Sequence, residues 1–552
     1  MTQKNLDMRA VYFLVLLVVT LGVSCKKYET EPVDLLTDDY VYDKMDDNGD
    51  YARQVMNHLY VYLPNGFNRI DHVVLATATD DAIASERYSN MEVLSMSRMN
   101  PLSESPDGYW YPGYEAIRNI NLFLAHIDVV PVDPLLKQYW KAEARFIRAM
   151  NYFELIKRYG GVPLVGDQLF PQEARPDIAR SSYAECVAYI VKELDAIQDS
   201  LRPDPVADVE IGRITKGADL ALKSRVLLYA ASPLNNPEHE SAKWQAASDA
   251  AYAVIAYNKF TLSDDFNTLF VDRTNPEVIL AYQRGITSDL ERDNAPVGYG
   301  EPNQSNGYVS PTQELVDAFP MINGRSIEDH ASGYDEQHPY DNRDPRFYAT
   351  VFYNGAPWLG RNVQTFEGGL DKPNTIQRQT RTGYYMRKFL VDYSDKDAYG
   401  NSDHNFIIFR YGGILLNYAE AENELGHVDV AYAQLIALRK RAGIEAGDDG
   451  LYGLQPAMDQ VAMRKAIHHE RRIEMAFEEQ RFWDERRWKT AETDFNRTLH
   501  GIRITRATDE TFTYERTSVQ EIVFKAPQMY RYPIPYNEVA SNPSMEQNEA
   551  WQ

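Results

Sequence analysis

The sequence predicts a mainly α-helical protein, in which tetratricopeptide-like helical pairs support a loop-rich region with a few short strands. Three observations predict this. Apolar residues recur at spacings of three and four through several long segments, Gly and Pro end those segments, and three long stretches lack the period altogether.

Residues 114–129 place Ile117, Ile120, Leu124 and Ile127 on one stripe of an amphipathic helix. Residues 137–159 do the same with Tyr139, Phe146, Met150, Phe153 and Ile156, and Gly160-Gly161-Val162-Pro163 stops that helix. Helices are expected over 182–200, over 217–231 with Ser232-Pro233 as its end, and over the Ala-rich 244–257 that pairs with it. Further on, 412–425 and 429–442 flank Gly426, and 458–488 reads as one long helix. Small residues such as Ala419, Ala421, Ala431 and Ala433 let paired helices approach closely. The pairs have about the length of a tetratricopeptide unit, ~34 residues, but long insertions make them irregular.

Residues 60–112, 285–311 and 324–402 are instead rich in Gly, Asn, Asp, Pro and aromatics, with short strands expected at 347–353 and 384–389. Loops this long are uncommon unless functional, and a rigid base is where they can present binding residues. Their rings supply the candidate ligand contacts: Tyr88, Tyr109, Trp110, Tyr111, Tyr299, Tyr308, Trp358 and Phe366. A sugar offers a flat C–H face to such a ring, worth about 1 kcal/mol, while its hydroxyls need polar neighbours. Each ring has packing as its competing role, Trp110 above all because it directly precedes a core helix.

The 552 residues carry a formal charge of −24, which argues against nucleic acid as a partner. Two cysteines exclude a disulfide framework, and Cys186 falls in a helical segment as a buried small residue. Lys4 and Arg9 precede an apolar run from Val11 to Val23 that ends at Ser24-Cys25. This run is too short to cross a bilayer of about 30 Å. It has the form of a lipoprotein signal over 1–24, with Cys25 as the acylated first mature residue and 25–50 as a polar tether leading into the fold. Gly22 stands three before the cysteine, where such signals favour Leu, and Leu21 lies one further back.

His468-His469-Glu470 invites a zinc-protease reading, but the required His four positions after the first is Ile473. No phosphate loop or nucleophile elbow is present either, and neither a cofactor nor a metal is expected. The charged run from Glu470 to Trp488 is read as a structural network, with Glu474–Glu478 and Arg481–Glu485 at helical spacing.

Four blocks resemble the SusD-like (RagB/SusD) family. They are the run from Ala142-Glu143-Ala144-Arg145 to Tyr159-Gly160-Gly161-Val162-Pro163; Asp344-Pro345-Arg346-Phe347 with Gly383-Tyr384-Tyr385 and Arg387-Lys388-Phe389; the 470–488 run; and Tyr532-Pro533-Ile534-Pro535-Tyr536-Asn537-Glu538 followed by Asn542-Pro543 and Gln547-Asn548. The chain ends Glu549-Ala550-Trp551 where the family runs to Pro-Gly-Tyr. The resemblance implies a helical N-terminal region over 51–260 and a C-terminal region with binding loops over 261–552. It implies an outer-membrane lipoprotein facing the exterior, which binds oligosaccharide, catalyses nothing and delivers its ligand to a SusC-like TonB-dependent transporter. A lipid-anchored glycoside hydrolase and a helical envelope scaffold without a small ligand are the alternatives.

Overall fold

The computed structural model describes residues 41–171, 177–299, 305–392 and 403–552, so Cys25 and its signal lie outside the described residues. The longer helices are α1 (Asp50–Leu59), α2 (Trp110–His126), α3 (Pro134–Tyr159), α4 (Tyr183–Ile197), α5 (Lys216–Ala231), α6 (Ser241–Tyr257), α7 (Tyr411–Glu424), α8 (Val428–Ala442), α9 (Gln460–Glu474) and α10 (Gln480–Trp488). Trp110 is thus the first residue of α2 rather than the residue before it. No helix of the described residues is long and apolar enough to cross a membrane.

Local chemistry sets the helix ends. Asp133 accepts hydrogen bonds from the Leu135 and Leu136 amides (2.9 and 3.0 Å), with Pro134 as the first residue of α3. Gly160 ends that helix at φ 77°. Ser182 and Glu185 form a reciprocal capping box at α4. Consecutive helices pack in a row: α2 on α3, α3 on α4, α4 on α5, α5 on α6, then α6 on α7 and α7 on α8 and α9. Cys186 is buried in this row as a free thiol.

The sequence reading of 458–488 as one helix is corrected. Phe477 and Glu479 adopt left-handed φ of 64° and 59°, and the chain breaks between α9 and α10. The cause is tertiary. Lys388 Nζ donates to the Glu474 and Ala476 carbonyls (3.2 and 2.9 Å) and Arg410 Nη2 to the Glu474 carbonyl (2.8 Å). Buried cations therefore take the carbonyls that a continuing helix would have used. The network expected within one helix becomes inter-element: Glu478 pairs with Lys388 and Arg410, and Arg471 with Asp484 across the break.

Strands are few and paired two by two. β1 (Ala82–Ala84) is antiparallel to β3 (Val309–Pro311), β2 (Val278–Tyr282) to β4 (Phe406–Arg410), and β5 (Arg497–Arg506) to β6 (Phe512–Ile522). The expected strand over 347–353 is mostly a helical turn, Pro345–Thr350, with only Val351–Phe352 extended and paired to Tyr385–Met386. Asp344 starts the turn by capping the Arg346 amide at 2.8 Å.

Candidate binding face

The β1–β3 pair positions the candidate site. Asp80 and Asp81, just before β1, are buried and held by the helical base: Arg481 forks onto Asp80 (3.0 and 3.0 Å) and Arg472 Nε reaches Asp81 at 2.7 Å. Burial pushes the Asp80 carboxyl up, but Arg472 and Arg481 hold it at about 2, so it stays ionised. The ladder then runs out of the core. The Ser85 amide donates to the Tyr308 carbonyl (2.8 Å), and the chain emerges as Glu86-Arg87-Tyr88. On the partner strand Gly307 has φ 53°, and a Cβ there would collide with the Tyr385 ring, so only glycine fits.

Four loops meet where this ladder surfaces. Tyr308 stacks on His72 with ring centroids 5.1 Å apart and planes 14° from parallel. His72 Nδ1 lies 3.1 Å from Asp293 Oδ2, and its side chain is 58% exposed while Tyr308 is only 7% exposed. Arg378 Nη1 donates to the Tyr308 hydroxyl (2.8 Å) and its Nε sits 3.4 Å from Glu86. Tyr88 is 89% exposed. Asp71 ties these loops together by accepting from the Ser89 hydroxyl (3.0 Å), the Asn90 amide and Asn90 Nδ2 (3.1 Å).

Asp71, His72 and Tyr88 all have left-handed backbone, at φ 49°, 66° and 67°. Non-glycine residues pay of order 1 kcal/mol each for that conformation, and such strain clusters at functional sites. Here it aims the His72 and Tyr88 rings outward.

The sequence candidates therefore separate. Tyr88 and Tyr308 fall on loops tied to each other by the Ser85–Tyr308 bond and to the 71–72 loop by Asp71, with His72 stacked on Tyr308. The sequence reading did not select His72, since only its left-handed backbone and its stack on Tyr308 mark it out. Tyr299 and Trp358 form a different unit. Their rings are 4.7 Å apart, the Arg361 guanidinium lies 3.6 Å over Tyr299, and Trp358 is buried at 3% exposure. Asp371 neutralises Arg361 at 2.7 and 2.9 Å. Phe366 leans on Phe512 of the β5–β6 hairpin at 5.6 Å.

Tyr109, Trp110 and Tyr111 sit at the start of α2. The Tyr109 hydroxyl donates to Asn151 Oδ1 (2.6 Å), and Trp110 stands edge-on to Tyr159. Trp110 and the half-exposed Tyr111 line a groove of about 900 Å³ with Tyr114, Pro163 and Met545. His468 and His469 form no metal-ligating cluster among the described residues. His468 stacks on Trp488 with centroids 3.5 Å apart, and burial pulls the two imidazoles down to about 3 and about 4.

Comparison with known proteins identifies the architecture. A model of the SusD family matches residues 276–551, half of the chain, and one described as starch-binding associating with outer membrane matches 47–228. The chain belongs to the SusD family. A SusD-like protein of Bacteroides fragilis superposes with a TM-score of 0.79 at 27% identity, covering 94% of this chain and 99% of that one. A laminarin-binding SusD-like protein superposes with a TM-score of 0.62 at 21% identity, covering 91% and 99%. SusD-like protein P38 of Formosa agariphila is 23% identical over 85% of this chain and 89% of its own length. The mainly helical fold with tetratricopeptide-like pairs is thereby that of SusD-like proteins, and the family blocks gain physical roles. Arg158 and Tyr532, from the first and last blocks, both bond the buried Asp107 (3.0 and 2.8 Å) and so lock the C-terminal segment onto α3.

Proposed function

We propose that this SusD-family chain binds an oligosaccharide on the face where Tyr88, His72 and Tyr308 meet, and does not cleave it. The observation that carries this reading is the pair of outward rings on strained backbone, His72 backed by Tyr308, with Arg378, Asn90 and Glu86 beside them. Rings of this kind stack on pyranose C–H faces, and the polar neighbours suit sugar hydroxyls. The family membership and the laminarin-binding relative support the same ligand class. Tyr111 at the α2 groove is a second, separate contact candidate.

The chain is further proposed to be an outer-membrane lipoprotein acylated at Cys25, facing the exterior and serving a SusC-like TonB-dependent transporter. The Val11–Val23 signal segment and the outer-membrane description of the matching family model support that placement. Calorimetry of the mature protein against a panel of oligosaccharides tests the ligand. Two stacked rings at about 1 kcal/mol each set an affinity loss of about thirtyfold for the Tyr88→Ala, His72→Ala double variant. Binding that survives this change intact overturns the site, and turnover of any panel member overturns the binding-only role. Replacing Cys25 with Ser should move the protein out of the membrane fraction.

A further inference from the structure

His72 stands at the corner of a tight hairpin turn. The Val73 amide donates to the Ile70 carbonyl (3.0 Å) and the Arg69 amide to the Val73 carbonyl (3.0 Å), which leaves Asp71 and His72 as the corner residues, both with positive φ. Turns of this shape favour Asn and Gly at their corners, because larger side chains are strained there. Here the second corner is a histidine, and its side chain is more than half exposed.

One buried residue orients this ring from beneath. Asp293 sets Oδ2 at 3.1 Å from His72 Nδ1, while its main-chain carbonyl accepts from the Tyr308 amide at 2.8 Å. It therefore seats both members of the stack, His72 through its side chain and Tyr308 through its backbone. Asn68 Nδ2 donates to the same Oδ2 (2.9 Å) and Arg292 Nε to Oδ1 (3.3 Å). Both carboxylate oxygens thus act as acceptors, and Nδ1 faces them as an N–H donor. The two nitrogens of an imidazole point away from each other across the ring. With Nδ1 turned to a buried carboxylate, Nε2 is turned to solvent, and it has no partner among the described residues.

We infer that His72 is a specificity-determining residue, which reads the orientation of a sugar hydroxyl through Nε2, and that Asp293 is the positioning residue that aims it. Tyr308 covers one face of the imidazole. The other face is left for a pyranose, and a stacked face is largely indifferent to how the hydroxyls around it point. Nε2 bonds in the plane of the ring, so the hydroxyl it meets belongs to the adjoining unit of the chain rather than to the unit stacked on the face. A hydroxyl both donates and accepts, and can meet Nε2 with or without a proton there. A chain whose linkage or stereochemistry turns that hydroxyl away leaves the nitrogen unmatched and binds more weakly. The assignment rests on the glycan reading above and adds to it the contact that tells one oligosaccharide from another.

Calorimetry tests it with laminarihexaose, maltohexaose, cellohexaose, mannohexaose, xylohexaose and a β-1,4-linked galactohexaose, which differ in linkage and hydroxyl orientation. His72→Phe keeps a flat ring on Tyr308 but carries no ring nitrogen. The wild type is expected to bind one of these sugars about tenfold more tightly than the next, and His72→Phe to narrow that gap about threefold, the share of one hydrogen bond. Asp293→Asn should narrow it similarly, and the double variant no further than His72→Phe alone, because Asp293 acts through the imidazole. Nitrogen-15 histidine labelling reads the wild-type ring directly, with the His72 signals assigned by their absence from His72→Phe. Nδ1 should carry the proton in the free protein, and the Nε2 signal should shift when the preferred hexasaccharide is added. Equal binding of all the hexasaccharides by the wild type, a gap unchanged in His72→Phe, or an Nε2 signal unmoved at saturating sugar overturns the assignment and leaves the glycan reading standing. Silence of every probe overturns both.

Discussion

In the helical base Arg410 is met by three carboxylates, Glu277 (2.7 Å), Glu474 (2.7 Å) and Glu478 (2.8 Å), whereas Arg87 on the loop face meets none among the described residues. The neighbours of Arg410 are equally saturated. Arg346 bonds Asp344, Glu470 and Glu474, and Arg439 bonds Glu470. All lie out of water, where an unpaired charge costs several kcal/mol, and each of these three cations is met by carboxylate. An exposed guanidinium needs no such partner, because water already solvates it. Positive charge at the surface is therefore free to serve a ligand, while Arg410, Arg346 and Arg439 are committed to carboxylates. Substitutions in the two regions should accordingly register in different measurements.

The largest expected effect is in the base. Arg410→Ala leaves Glu277 and Glu474 to share Arg441 and Glu478 to rely on Lys388, one buried cation short, and urea unfolding should show a loss of about 3–5 kcal/mol. A loss below about 1 kcal/mol would mean that the network is dispensable, and the contrast between the regions would fail. Glu420→Gln comes next. Burial pushes this carboxyl up, but Arg487 holds it down to about 2, against 4.5 for an ordinary glutamate. A carboxyl depressed in the folded state adds stability above pH 4.5 and loses it as the pH falls towards 2. The shift corresponds to about 3 kcal/mol. Wild type and Glu420→Gln should differ by about that much at pH 7 and converge near pH 2. A gap that stays constant across the acid range would remove the ion pair as its cause.

The same division explains what the sequence could say. The helical pairs were legible because apolar residues recur at spacings of three and four along α2 and α3, and caps such as Asp133, Ser182 and Gly160 are local. The break between α9 and α10 was not legible. It depends on Lys388 and Arg410, which lie 60 or more residues away in the chain and take the carbonyls of 474 and 476. The β5–β6 hairpin escaped because charge stands on both of its faces, Arg503 and Glu515 on one and Arg506 and Arg516 on the other, so its alternation is faint. At the site, Tyr88 and Tyr308 could be chosen by residue type and loop position. His72 could not, since what singles it out is a left-handed backbone and a stack on a ring 236 positions later, both products of the tertiary fold.

On the loop face effects on stability should be small and effects on binding larger. His72→Ala removes the ring in front of Tyr308, and affinity for the bound oligosaccharide should fall about fivefold, the equivalent of about 1 kcal/mol. Stability should change by no more than about 0.5 kcal/mol, as for other surface substitutions. A loss of several kcal/mol would show that the His72–Tyr308 stack is packing after all and would move it to the side of the base.

The smallest effect discriminates most sharply, because its two parts have opposite signs. Tyr88 has φ 67° and a ring that is 89% exposed, so its side chain contributes little packing while its backbone is strained. Glycine adopts that conformation without the steric penalty of about 1–2 kcal/mol, and gives back roughly half of the gain through the greater freedom of the unfolded chain. Tyr88→Gly should therefore be about 0.5 kcal/mol more stable than wild type in urea, and should bind oligosaccharide about fivefold more weakly. Tyr88→Ala should lose the same affinity without the gain in stability. If Tyr88→Gly were instead less stable, the loop would owe its shape to the ring, and the strain would no longer point to a ligand. A more stable and weaker-binding variant is the outcome expected of a residue held in an unfavourable conformation for the sake of what it touches.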